Sequence, residues 1–169
     1  MSSQSRNRLI DPARLSEKAI VLEETVPVAE FARLGESLAN DAGELHYRVS
    51  AGLDRQRRKV VSCIIEGFVF LTCQATLDTF RHPLSIEERL VLVDDAARLP
   101  PIEEESDAED YLVAGGPIEV RELVEDAVIL ALPMVPRKPG LESVEAQGKA
   151  PSERSESPFA KLSGLKKPR

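Results

Sequence analysis

Four side chains have the softness, and together the number, that a structural metal ion needs: His46, Cys63, Cys73 and His82. Their spacing argues against a shared ion. Cys63 and Cys73 lie in one apolar run, and in a continuous strand at about 3.3 Å per residue they stand roughly 33 Å apart, far beyond the reach of Zn–S bonds of about 2.3 Å. A disulfide fails on the same ground, because bridged Cα atoms lie about 4.4–6.8 Å apart. Nucleophilic catalysis needs a base and an orienting group beside the thiol, and only His82, beyond a turn from Cys73, offers itself. The many carboxylates sit where nothing separates their pKa values into an acid and a base. Gly115 and Gly116 run into Pro117 and lack the lysine and hydroxyl of a phosphate loop. Both cysteines therefore read as interior thiols, with no catalytic residue, no metal and no cofactor expected.

The element that positions these groups is the run Lys59 to Leu77. Val61, Cys63, Ile65, Gly67, Val69, Leu71 and Cys73 alternate with Ser62, Ile64, Glu66, Phe68, Phe70 and Thr72, which is the period-2 pattern of a central strand, bent at Gly67. Ahead of it Leu45, Tyr47, Val49, Ala51 and Leu53 alternate with His46, Arg48 and Ser50, and the polar stretch Asp54 to Arg58 turns one strand into the next. A second turn over Asp78 to Pro83 leads to a third strand carrying Leu84, Ile86, Leu90 and Leu92. Lys18 to Glu24 is a further short strand, and Tyr111 to Val113 an edge strand. Pro27, with Val28, Phe31, Leu34 and Leu38 behind it, predicts an amphipathic helix over Val28 to Ala39. A second helix is predicted from Val120 to Pro133, with Glu119, Glu122, Glu125 and Asp126 complementing the dipole at its start.

At 169 residues, 42% hydrophobic and 4% aromatic, the chain suits one domain with an aliphatic core. Met1 is followed by a polar stretch without the apolar segment of an export signal, and no apolar run approaches the eighteen or so residues of a membrane span. A soluble, cytoplasmic chain that does not engage a membrane is expected, and two cysteines in a strand suit a reducing compartment. The net charge of −7 is distributed in blocks. Acids crowd Asp94 to Asp126, including Glu103, Glu104, Glu105, Asp107, Glu109 and Asp110, whereas Arg55, Arg57, Arg58 and Lys59 cluster at the hairpin tip and Lys161, Lys166, Lys167 and Arg169 at the end. Screening over about 8–10 Å lets a local basic block meet a polyanion despite the overall charge. These eight residues are the candidate contacts to the phosphates of a nucleic acid. Phe68 and Phe70 could stack bases, although packing beneath a helix is their plainer role.

Val69 to Leu77, Ile118 to Pro136 and Ser157 to Leu165, together with LIDPARL and VPVAEF near the start, resemble in order and spacing the YceD family of large ribosomal RNA subunit accumulation proteins. The most specific parts of that resemblance are the segment of Leu130, Ala131, Leu132, Pro133 and Pro136 and the terminal stretch with Pro158 and Phe159, and Cys73 is a further family-motif position. It implies a role in synthesis, processing or accumulation of large-subunit ribosomal RNA. Where relatives commonly carry C-x-x-C, this chain has Cys73, Gln74, Ala75 and Thr76, and where many have His or Cys after the second motif it has Arg137 and Lys138. A metal site built from those four positions would here lack three ligands.

The expected architecture is α+β: a twisted antiparallel sheet of four to six strands, open or curled into a barrel, with two amphipathic helices. Residues 1–136 form the domain, including a mobile acidic loop at about 96–110, and 137–169 a flexible, mostly disordered tail with a basic end. The expected function is a non-catalytic factor in ribosome biogenesis whose partner is large-subunit ribosomal RNA or a pre-ribosomal particle, with the acidic loop engaging a basic ribosomal protein or assembly factor. The alternative is a protein–protein adaptor that does not touch RNA. A nuclease stands third.

Overall fold

The computed structural model describes residues 9–101 and 109–140. The chain divides into units of residues 1–136 and 137–169, and every strand and helix described below belongs to the first. Its centre is a meander of three long strands, β3 (Asn40–Leu53), β4 (Lys59–Thr72) and β5 (Thr79–Val93). β2 (Ile20–Pro27) and β6 (Asp110–Val113) flank them in the order β2-β3-β4-β5-β6. A short ribbon pairs β1 (Leu9–Ile10) with β7 (Ile118–Glu119), and β7 leads straight into the helix α1 (Val120–Ala131).

Alternation places Leu45, Tyr47, Val49 and Ala51 of β3, and Val61, Cys63, Ile65, Val69 and Leu71 of β4, on one dry face. α1 adds Val120, Leu123, Val124, Ala127 and Val128 to that core. Burying an aliphatic side chain of this size fully contributes about 1.5–3 kcal/mol, and this is what holds the helix on the sheet. Within the core Tyr47 donates to Glu24 at 2.7 Å. Burial, and then the neighbouring Glu24 carboxylate, push the phenol up to about 12. α1 stops at Leu132, whose ψ of 137° is extended, because Pro133 crowds a helical residue before it.

Several expectations need correction. Val28 to Ala39 is not an α-helix but two single 3₁₀ turns, Val28–Glu30 and Leu34–Glu36. The buried residues Val28, Phe31 and Leu34 recur every third position, which satisfies the three-residue repeat of a 3₁₀ turn as well as it does an α-helix, and Gly35 further weakens a helix. Pro27 ends β2 opposite Glu44 rather than starting a helix. The sheet is open, with β2 and β6 as its edges, so there is no barrel; nor is it wholly antiparallel, since β6 runs parallel to β5. The second turn is shorter than expected, and Thr79 to Pro83 already belong to β5. The β3–β4 register slips between Asn40 and Glu44, next to the pairing of Gly67 with Leu45. At Gly67, φ is +153° and a Cβ would collide with the Glu44 carbonyl.

Candidate functional site

The β3–β4 hairpin turns through Asp54 to Arg58, and its geometry follows from one aspartate. The Asp54 carboxylate accepts hydrogen bonds from the Gln56 and Arg58 amides, both at 2.9 Å, while the Arg57 amide bonds back to the Asp54 carbonyl at 2.9 Å. This forces Arg57 into the left-handed region, at φ 62°, a conformation that disfavours most side chains. Asp54 is pulled in two directions. Partial burial acts to raise its pKa, but hydrogen bonds from the Arg58 backbone and guanidinium outweigh it, and the net shift is below the ordinary value.

The four basic residues of the tip differ in what they meet. Arg58 donates through Nε to Asp54 at 2.8 Å and through both terminal nitrogens to the two oxygens of Glu109 at 2.9 Å. Arg89, on β5, donates to the same Glu109 at 2.8 Å and approaches Asp54 at 3.4 Å. Hydrogen bonds from Arg58 and then Arg89 hold the Glu109 carboxyl below its ordinary value. Lys59 pairs with Asp94 at 2.7 Å, and Arg57 reaches Glu17 at 3.2 Å with its side chain 75% exposed. Arg55 is exposed and has no ion-pair partner among the described residues. The remaining candidate contacts, Lys161, Lys166, Lys167 and Arg169, lie outside the described residues, as do Pro158 and Phe159.

The soft side chains do not converge. Cys63 and Cys73 are buried and neither forms a disulfide. Burial, with the Glu88 charge behind it, pushes the Cys63 thiol up to about 12. His82 lies opposite Val69 on the inner side of the sheet, beside the Phe80 ring. His46 points to the outer side, against Thr25 and Glu23. Among the described residues no group of three or more His, Cys, Asp or Glu is placed to hold a metal.

Two of the three motif segments touch, and the third, Ser157 to Leu165, lies outside the described residues. The Gln74 amide, in the turn after Cys73, donates to the Pro136 carbonyl at 2.9 Å, so the chain beyond α1 folds back onto the end of β4. A cavity of about 350 Å³ opens there, lined by Leu71, Gln74, Ile129, Leu132, Pro133 and Pro136 among others, while Leu130 is 80% exposed. Phe68 and Phe70 do not pack beneath the helix. They stand half-buried on the outer face, edge to face at 5.9 Å, with the Arg81 guanidinium 4.0 Å above the Phe68 ring. Sequence reasoning missed Arg89 and Glu109 as partners of the basic tip, and no local signal marks them, since Glu109 lies 51 residues from Arg58.

Residues 61–166 match the sequence profile of the family described as large ribosomal RNA subunit accumulation protein YceD. A protein of that name from Haemophilus influenzae is 29% identical over 167 residues, spanning 93% of this chain and 94% of the relative. No solved structure matches.

Proposed function

The chain belongs to the family of the large ribosomal RNA subunit accumulation protein YceD, and from that premise we propose that it supports synthesis, processing or accumulation of large-subunit ribosomal RNA by binding rather than by turnover. Family membership is the observation that carries this reading. A surface that supports it is the basic tip of the β3–β4 hairpin, where Arg55 and Arg57 are the most available to phosphate and Arg58 and Lys59 already hold carboxylates. The partner is the RNA itself or a pre-ribosomal particle, and the compartment is the cytoplasm. Among the described residues no helix is long and apolar enough to cross a membrane. The buried Cys63 thiol, held protonated, offers no nucleophile.

Crosslinked-RNA sequencing with the tagged full chain tests the reading. The wild type is expected to recover large-subunit ribosomal RNA, and a double Arg55→Gln, Arg57→Gln variant is expected to lose reads. In a salt series its log K against log salt should flatten by about 0.7 for each single-strand phosphate that the variant no longer neutralises. Protein crosslinks without ribosomal RNA reads would instead favour an adaptor that works through its acidic segment.

A further inference from the structure

We infer that the Arg58–Arg89 fork is a phosphate site for RNA whose resident anion is the chain's own Glu109. The inference rests on the RNA-binding reading above and assigns it a site and a built-in competitor. Two guanidiniums converge on one carboxylate, three of their nitrogens lying 2.8–2.9 Å from its two oxygens. A phosphodiester presents two anionic oxygens with the same bidentate demand, which is why arginine forks serve carboxylates and phosphates alike. The fork is open to solvent: the Arg58 and Arg89 side chains are 32% and 38% exposed and Glu109 is 23% exposed.

The immediate surroundings suit a nucleotide. A shallow groove of about 130 Å³ adjoins Arg89, with Ser50, Gly52, Ser62 and Asp54 among the residues lining it. Its two hydroxyls and small floor leave room for a ribose, whose hydroxyl can both donate and accept. Glu109 enters from the start of β6, a four-residue edge strand with only β5 as its neighbour. Its carboxylate makes side-chain bonds only, so an incoming phosphate displaces one anion with another and leaves no backbone group unpaired. Asp54, fixed by the turn, stays and keeps Arg58 aimed.

The test uses the full chain and a short fluorescein-labelled oligouridylate. Glu109→Gln, which keeps the size of the side chain, is expected to bind the oligomer several-fold more tightly than the wild type. Its salt dependence should be steeper by about 0.7 in log–log slope, the increment for one more neutralised phosphate. On the wild-type protein, the Nε–H resonances of Arg58 and Arg89 should shift together as RNA is added, a readout that does not depend on how the variant folds. Arg58→Lys, which keeps the charge and loses the fork, should cancel the gain. Equal affinity of Glu109→Gln and wild type, or unmoved Arg58 and Arg89 resonances while RNA binds, would overturn the site yet leave the RNA-binding reading standing. No binding by any variant would overturn both.

Discussion

Among the arginine–glutamate pairs that tie distant parts of this chain together, two are built differently. At the hairpin tip, Arg58 and Glu109 meet through side chains alone, both partly solvated. On the inner side, Glu125 of α1 is 6% exposed, the only buried charged residue among those described. It accepts from the Arg33 backbone at 2.6 Å and the Leu34 backbone at 3.1 Å as well as from the Arg33 guanidinium at 2.9 Å. Those amides open the 3₁₀ turn Leu34–Glu36, where the first donors have no partner within the turn. The carboxylate at the tip can be exchanged for another anion. The one on α1 cannot, because the backbone groups it satisfies have nowhere else to go.

The largest test of that difference is Glu125→Ala. It strands two amides, one of them buried, and at roughly 1–3 kcal/mol for each unsatisfied group the chain should lose on the order of 3 kcal/mol. Urea unfolding measures it directly. A loss no greater than that of an ordinary surface ion pair would dissolve the distinction, since exposed pairs contribute about 0–1 kcal/mol.

The contrast also shows what the sequence made legible. The meander β3–β4–β5 could be read because each strand repeats its own period of two and each turn is short, so the information is local. α1 could be read because Pro117 and Pro133 bracket a run of helical spacing. The segment over Val28 to Ala39 misled because residues three apart fit two helical geometries, and only the 92-residue link to Glu125 decides that its amides are paired by a side chain rather than by a following helical turn. The parallel edge β6 and the Arg58–Arg89–Glu109 cluster share this property. Their partners are set by how the finished sheet brings strands together, and no spacing within the sequence encodes it.

A smaller effect tests the tip pair in acid. The Glu109 pKa is depressed from 4.5 in the folded chain by Arg58 and Arg89, so in the window between its folded and unfolded values the unfolded chain binds the proton more readily. Its contribution to stability is complete above about pH 4.5 and is lost as pH falls through the folded value. Wild type should therefore be more stable than Glu109→Gln at neutral pH, and the gap should close on acidification. A gap that stays constant as pH drops would mean the substitution acts through packing rather than through the ion pair.

The smallest expected effect concerns a carboxylate with neither kind of support. Glu88 lies on the inner side of β5 opposite Cys63 and has no ion-pair partner among the described residues. Burial, followed by the charges of Asp110 and Asp126, raises its pKa above 4.5. The sign is opposite to that of Glu109: the folded chain now holds the proton more tightly, so stability is lost as pH rises from about 4.5 through the folded value. Glu88→Gln should therefore stabilise the protein modestly at neutral pH, and the advantage should vanish below about pH 4.5, where both side chains are uncharged. Thermal melts across that range decide it. A Gln variant less stable than wild type at neutral pH would show that Glu88, like Glu125 and Glu109, has a cationic or hydrogen-bonding partner that matters.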